Sequence, residues 1–541
     1  MTENMTEEPN PASHGDRLPD GTHAPAAATP QDAETTNVAG TTNARLPQDA
    51  MLTANQLGEY SALFNADRAN IVAATAATSN GVLKAATDYR GLRALPREFS
   101  IELKQGSITS QRRSGRCWMF ASLNVLRHDV MRRWGLDDFE FSETYLFFYD
   151  KLEKSNHYLE KILETIDEPT DSRLFQAIND YPADDGGWWA MFAALAAKYG
   201  LVPKSAYPEN ANSRDSDALT QYLNAKLREF ARELRSAHEN GVGMDGLRGR
   251  KSAMMNTVYR IVAVALGEPP RSFDWVARGK DDEDGKNGGA TASGTERAGA
   301  GNDSDDGSKV DTGNDSGSGS NSDDGFIKGT VIVEHGITPT AFYAKYVKQD
   351  LDRYVGLVNA PMKRTPFGRL YRLEHDGNVV GGQPIEFANV PLDVFKKAIV
   401  DQLRGGRPVW FACDCDQFAL RDEGVFDRAT VRVEDLFGIE YTMGKGDRLE
   451  YGVSPSNHAM TLIGVNLDAD GRPDRWKIEN SWGKDAGRDG YFTATDAWFD
   501  DYVNEVAIHD DVLDDATKAI FATEPVMVQP WEPISRATRC A

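Results

Sequence analysis

The chain has 541 residues, a formal net charge of -23, 40% hydrophobic and 9% aromatic side chains. That length is ample for a large core, and the acidity disfavours nucleic acid and anionic membrane, which present dense negative charge of their own. No apolar run reaches the roughly 18 residues of a membrane span, and Met1 to Asn10 is acidic and polar where a secretory leader is basic then apolar, so a cytoplasmic protein is expected.

Residues 1–50 are rich in Thr, Ala, Pro, Asn and Asp with few large apolar side chains. Such a segment cannot offset the entropy of ordering, and a disordered tail is expected. Thr53 to Phe64 and Ala66 to Ala77 carry apolar residues at three- and four-residue spacing, the helical period. From Trp118 to Trp134 a longer helix places Phe120, Leu123, Val125, Leu126, Val130 and Met131 on a buried stripe, with Arg127, His128, Arg132 and Arg133 between them. Helices dominate again from Glu143 to about Leu266. Within that stretch Gly246-Leu-Arg-Gly-Arg-Lys-Ser252 breaks the order of a phosphate-binding loop at Arg250 and reads as a basic loop.

Residues 279–325 form an acidic insertion of Gly, Ser, Asn and Asp, in which Asp303, Asp305 and Gly307 miss the calcium-loop spacing, so no metal is expected there. Its flanks, Pro270 to Trp275 and Phe326 to Val333, alternate apolar and polar residues like the strands of one hairpin. An overgrown hairpin loop closes at a cost that rises only logarithmically with length. Beyond it the chain turns β-rich: Val409–Cys413, Ala459–Val465, Arg475–Glu479 and Gly490–Thr493 are short and separated by turns. The expected organisation is a tail (1–50), a helical lobe (51–278), the insertion (279–325), a sheet-rich lobe (326–520) and a C-terminal arm (521–541).

Four cysteines in so long a chain are no disulfide framework. Cys413 and Cys415 sit too close in sequence for a relaxed disulfide and read as strand residues. Cys117 differs, because the polar loop Gln111-Arg-Arg-Ser-Gly-Arg delivers it to the first turn of a long helix. A thiolate there is stabilised by unpaired backbone N–H groups and the helix dipole, and a neighbouring imidazolium lowers its pKa further. Gln111 can aim its amide at the oxygen that turns negative when a thiolate attacks a carbonyl, joined by the Cys117 N–H. His458 stands at the entrance to an apolar strand, and Glu479-Asn480-Ser-Trp482-Gly483 ends another. Neighbouring strands bring Asn480 beside His458, where an amide oxygen holds the imidazole, and the Trp482 indole covers the pair. His128 reads as structural or solvated.

The order Gln111 to Cys117-Trp, Asn457-His-Ala-Met, Glu479-Asn-Ser-Trp-Gly resembles the papain superfamily. Asp185-Gly-Gly187-Trp, Lys198-Tyr-Gly-Leu-Val-Pro-Lys204, Tyr207-Pro-Glu209, Val409-Trp-Phe-Ala-Cys-Asp414 and Trp498-Phe-Asp-Asp-Tyr502 narrow it to the bleomycin hydrolase and aminopeptidase C family. The resemblance implies an α+β, papain-like two-lobed fold without cofactor, acting on peptides through Cys117, His458, Asn480 and Gln111. It places Gly186 and Gly187 against the substrate backbone. It further implies a homohexamer whose C-terminal arm, starting near Glu524, blocks the cleft so that only a free amino terminus enters and meets the terminal carboxylate, here Ala541. Two local departures stand out: Ser456-Asn457 precedes the histidine, expected on an outward loop, and the tail after Pro533 runs a few residues long. If the altered arm leaves the cleft open, an endopeptidase or acyl hydrolase is the alternative, and a catalytically silent scaffold is a third.

Overall fold

In a computed structural model the described residues are 50–279 and 331–537. The chain divides at Asp67 into two units. In the first, a helix spans Ala54–Ala66, and a capping box starts it: the Thr53 hydroxyl accepts from the Gln56 N–H at 3.3 Å while the Gln56 side-chain Oε1 accepts from the Thr53 N–H at 2.9 Å. Apart from Ala50 and Gly279, the expected tail and insertion lie outside the described residues.

The second unit opens with a helix over Arg68–Asn80, two to three residues later than its periodicity suggested. Its principal helices are α1 (Cys117–Trp134), α2 (Glu143–Glu164), α3 (Trp189–Tyr199), α4 (Asp217–Glu239), α5 (Met244–Leu266), α6 (Leu392–Arg404) and α7 (Asp496–Tyr502). The expected basic loop at 246–252 is instead part of α5, where Arg248 and Lys251 both pair with Glu160 of α2. An amphipathic helix accommodates Gly246 and Gly249 at modest cost when its neighbours pack. The hairpin forms: Phe273–Arg278 pairs antiparallel with Val331–Ile337.

The sheet is built from β1 (Tyr354–Val358), β2 (Arg369–Leu373), β3 (Glu386–Asn389), β4 (Val409–Cys413), β5 (His458–Leu467), β6 (Pro473–Glu479), β7 (Tyr491–Thr495), β8 (Val503–His509) and β9 (Val526–Val528). Their spatial order is β9-β2-β3-β1-β8-β4-β5-β6-β7. The architecture is mixed α+β. One face packs on the α1 to α5 side, joining Trp410, Ala412, Ala459 and Ala507 to Trp118 and Leu123. The other face packs against α6 and α7 through Phe411, Met460, Phe395 and Phe499. Cys413 ends β4 as expected, but Cys415 lies in the turn beyond it, held by Asn457, whose side-chain oxygen accepts the Cys415 N–H at 3.0 Å.

Helix α1 is enclosed on nearly every side from Cys117 to Met131, Arg127 and His128 included. A helix with no wet face must satisfy each polar side chain internally. Arg127 meets part of that need across the sheet edge, pairing with Glu479 at the end of β6 and donating to the Ser107 carbonyl at 2.7 Å, while its Nε and Glu479 Oε2 have no partner among the described residues. Both partners are about 1% exposed, and burial pushes the Glu479 carboxyl up while Arg127 pulls it back. Truncating one member of such a pair strands the other charge and costs about 3–5 kcal/mol, whereas replacing both with apolar residues of like volume is close to neutral. Glu479→Ala is therefore expected to lose about 3–5 kcal/mol in urea denaturation and Arg127→Met/Glu479→Leu markedly less; a single variant within 1 kcal/mol of the parent would remove this pair's role.

Candidate active site

Cys117 is the first residue of α1, with its backbone N–H at the open end of the helix. The first turn is tied to the sheet by two hydrogen bonds: Trp410 Nε1 of β4 donates to the Trp118 carbonyl and Thr461 Oγ1 of β5 to the Ala121 carbonyl, each at 3.1 Å. His458 begins β5 directly opposite Cys413 of β4. Burial pushes the thiols of Cys413 and Cys415 up, with charge at Cys117 a smaller cause for both. The two neighbours stay protonated at neutral pH and are poor nucleophiles.

Asn480 follows β6, the next strand over, and its Oδ1 lies 2.9 Å from His458 Nε2. Because Oδ1 only accepts, Nε2 carries the proton and Nδ1 is left as the basic nitrogen. Oδ1 also accepts the Ser481 N–H at 2.8 Å, which fixes the amide's orientation. The Trp482 indole stacks on the imidazole with ring centroids 4.8 Å apart and planes at 26°, and the Arg421 guanidinium lies over the same indole at 4.8 Å. Gln111 joins this group through Ser481: its N–H donates to the Ser481 carbonyl at 2.8 Å, and Ser481 Oγ donates to Oε1 at 2.7 Å. Its Nε2 donates to the Ser114 carbonyl at 2.7 Å.

The Gly186-Gly187 loop packs against the same helix end. A Cβ on Gly187 would fall 2.6 Å from the Trp118 ring, so only glycine permits this approach. Trp118 Nε1 donates to the Asp185 carbonyl at 2.7 Å, and Lys154 Nζ donates to the Gly186 carbonyl at 2.6 Å. Asp185 accepts from Lys151 and from the Gly115 N–H; against its burial, Lys151 holds its carboxyl well below the ordinary range. On the other side of the loop, Arg116 makes a bidentate contact to Glu209 at 3.0 Å for each oxygen. Burial would raise the Glu209 carboxyl, yet Arg116 and Lys204 hold it at about 2. These buried charges escaped the sequence reading; the signal available was Asp150, Lys151 and Lys154 close behind the apolar run Tyr145-Leu-Phe-Phe-Tyr149 of α2.

Ser456 is not on an outward loop. It is 3% exposed, its hydroxyl donates to the Ala537 carbonyl at 2.7 Å, and its N–H donates to the Arg536 carbonyl at 2.7 Å. The C-terminal arm thus returns to within two residues of His458, after pairing β9 in parallel with β2 and laying Trp531 under Arg173. Ala541 lies outside the described residues. Among the described residues no helix is long and apolar enough to cross a membrane.

The site thus holds a thiol at a helix start, a histidine at a strand start and an amide bonded to that histidine, the residue types a thiol hydrolase uses. The comparisons narrow it: the model of the Peptidase C1-like family matches residues 51–296 and 329–535, and the chain belongs to that family. It is 37% identical to Aminopeptidase C of Listeria monocytogenes over 483 residues, covering 89% of this chain and 98% of the relative. It is likewise 37% identical to Aminopeptidase G of Lactobacillus delbrueckii, over 90% and 99% of the two chains. The crystal structure of PepW from Lactobacillus rhamnosis superposes with a TM-score of 0.79 at 36% identity, over 90% and 99%.

Gly187→Ala is expected to lose about 1–3 kcal/mol by forcing the Trp118 ring away from the loop, read as a lowered denaturation midpoint. An unchanged midpoint would mean the ring yields freely.

Proposed function

We propose that the chain is a cysteine aminopeptidase that removes residues from the amino end of short peptides. The observation that carries this reading is the 2.9 Å contact of His458 Nε2 with Asn480, on the strand next to the one that receives the first turn of α1. In this mechanism Cys117 Sγ gives its proton to His458 Nδ1 and attacks the carbonyl carbon of the first residue. The oxyanion is met by the Cys117 N–H and the remaining Nε2 hydrogen of Gln111, whose amide Ser481 and Ser114 orient. The imidazolium returns the proton to the leaving amine, so the shortened peptide departs as an acyl-enzyme forms on Cys117, and water, activated by His458, then releases the first residue as a free amino acid. Asn480 holds the imidazole in its working tautomer without placing a second negative charge beside the thiolate. Gly186 and Gly187 offer backbone groups to the substrate at a place where no Cβ intrudes.

The restriction to amino ends follows from the arm, whose described end sits on Ser456. A cleft closed there admits a peptide only as far as its terminus. We extend the reading to a homohexamer, checked by mass measurement in solution, with Ala541 as a receiver of the substrate's amino group.

Cys117→Ala is expected to abolish turnover of aminoacyl fluorogenic amides and adduct formation with iodoacetamide. Gln111→Ala is expected to lower kcat by about 10²–10³, equivalent to about 2.7–4 kcal/mol, with little change in KM. The parent should cleave free peptides and spare N-acetylated ones, and truncation after Pro533 should lift that restriction; efficient cleavage of acetylated peptides by the full chain would replace the aminopeptidase reading with an endopeptidase.

A further inference from the structure

Ser456 bonds the arm, but its neighbour Asn457 turns to a different set of groups. Asn457 Nδ2 donates to Asp414 Oδ1 at 2.8 Å and to Asp416 Oδ2 at 3.1 Å, and its Oδ1 accepts the Cys415 N–H. Asp416 in turn pairs through its other oxygen with Nη2 of Arg421, in the segment after β4. The Arg421 guanidinium lies over the Trp482 indole at 4.8 Å, and the Arg421 carbonyl accepts the Gly487 N–H at 3.0 Å from the turn beyond Trp482. Headgroup and backbone are thus both tied to residues that flank His458 and Trp482. An exposed ion pair adds little to stability, and the Arg421 and Asp416 side chains are 55% and 60% exposed. Stability is a poor reason for fixing a cation at this place.

The chemistry next to it supplies another. The same indole stacks on the His458 imidazole with centroids 4.8 Å apart, so the guanidinium stands at most about two such steps from the imidazole. His458 Nδ1 returns the proton to the leaving amine, and the α-carboxyl carbon of a dipeptide follows that nitrogen by two bonds, roughly 2.5 Å. A charge-assisted N–H···O bond spans a further ~2.8 Å. Together with the hydrogen bond from Nδ1, these spans cover the separation of imidazole and guanidinium. An arginine has five N–H donors in a planar fork, and among the described residues the side-chain hydrogen bond of Arg421 is the one to Asp416. The Nε and Nη1 donors are left for a ligand. Such a fork takes a planar acceptor by two parallel bonds, and the acceptor of that shape that a peptide carries is a carboxylate.

We propose that Arg421, laid on Trp482 and braced by Asp416, receives a carboxylate on the leaving-group side of the scissile bond, and so favours dipeptides or peptides with an acidic second residue. That the ligand is a peptide rests on the aminopeptidase reading. The carboxylate has two sources, the α-carboxylate of a dipeptide and an Asp or Glu side chain at the second position. Asp416 offsets part of the Arg421 charge while it holds the fork in place, so the paired geometry selects the ligand as much as the charge does.

The test compares kcat/KM within two substrate pairs, leucyl-glycine against leucyl-glycine amide and leucyl-aspartic acid α-amide against leucyl-asparagine amide, on the parent, Arg421→Gln and Arg421→Lys. The parent is expected to favour the carboxylate-bearing member of at least one pair tenfold or more, chiefly through KM. Arg421→Gln is expected to erase that ratio and Arg421→Lys, which keeps the charge and loses the fork, to retain part of it. A preference in the first pair assigns the α-carboxylate; a preference in the second assigns the side chain. Equal values within both pairs in the parent, or the parent's ratios kept by Arg421→Gln whatever its overall rate, overturn the site. Should Arg421→Gln fail to fold, Arg421→Lys decides: a reduced ratio supports the site and an unchanged one overturns it. If the parent turns over none of the four, the peptidase reading is discarded and calorimetry with the same compounds decides on Arg421: a carboxylate preference that its variants lose keeps the site, and no preference overturns it.

Discussion

The burial of α1 against the sheet is the constraint on which the rest of the structure depends. A helix enclosed from Cys117 to Met131 cannot slide or rotate without exposing apolar surface or stranding a polar group. Trp410 and Thr461 tie its first turn to β4 and β5, and Arg127 ties its middle to the end of β6 through Glu479. Those same strands carry His458 and precede Asn480. The interactions that seat the helix therefore also set the distance between the candidate sulfur and the groups expected to act on it.

The surroundings of Cys117 are unusually charged for a protein interior, and each charge is answered. Arg116 meets Glu209, Lys151 meets Asp185, and Lys154 meets Asp150 and the Gly186 carbonyl. Buried pairs of this kind add little net stability, because desolvation offsets most of the attraction. Their effect is geometric: they hold two loops of the helical half against the helix end, where apolar contacts alone would tolerate several placements. Ser481 performs a similar office in neutral form, linking the Gln111 amide to the Asn480 segment. Glu505 departs from this pattern, a buried carboxyl with no answering charge among the described residues.

The arm supplies a second constraint. After Glu524 it pairs as β9 with β2, then closes on Ser456 through the Ala537 carbonyl. Ile534 and Ala537 are fully buried, so this segment is packed as firmly as the core. The Ser456 that departs from the resembled pattern is the residue that receives it. A hydroxyl at that place anchors the arm by a hydrogen bond, which gives the substitution a structural reason.

The sequence by itself determined the local elements and their chemistry. Periodicity was enough to find the long helix after Cys117, the hairpin around the insertion and the strands that begin at His458 and end before Asn480, because each is encoded by neighbours within a few turns or strand steps. Residue type and motif order nominate Cys117, His458, Asn480 and Gln111 as candidates, since few side chains can serve as thiol, base, amide support and oxyanion donor. Pairings across long separations were decided only by tertiary structure. Arg127 finding Glu479, Arg116 finding Glu209 and Ser456 finding Ala537 leave no periodic trace, and a lone Arg or Ser reads as solvent-facing until the fold encloses it. The basic stretch at 246–252 became helix because α5 could bury its apolar face and pair its charges with Glu160, and Glu505 came to lie beside Ala412 only through strand register.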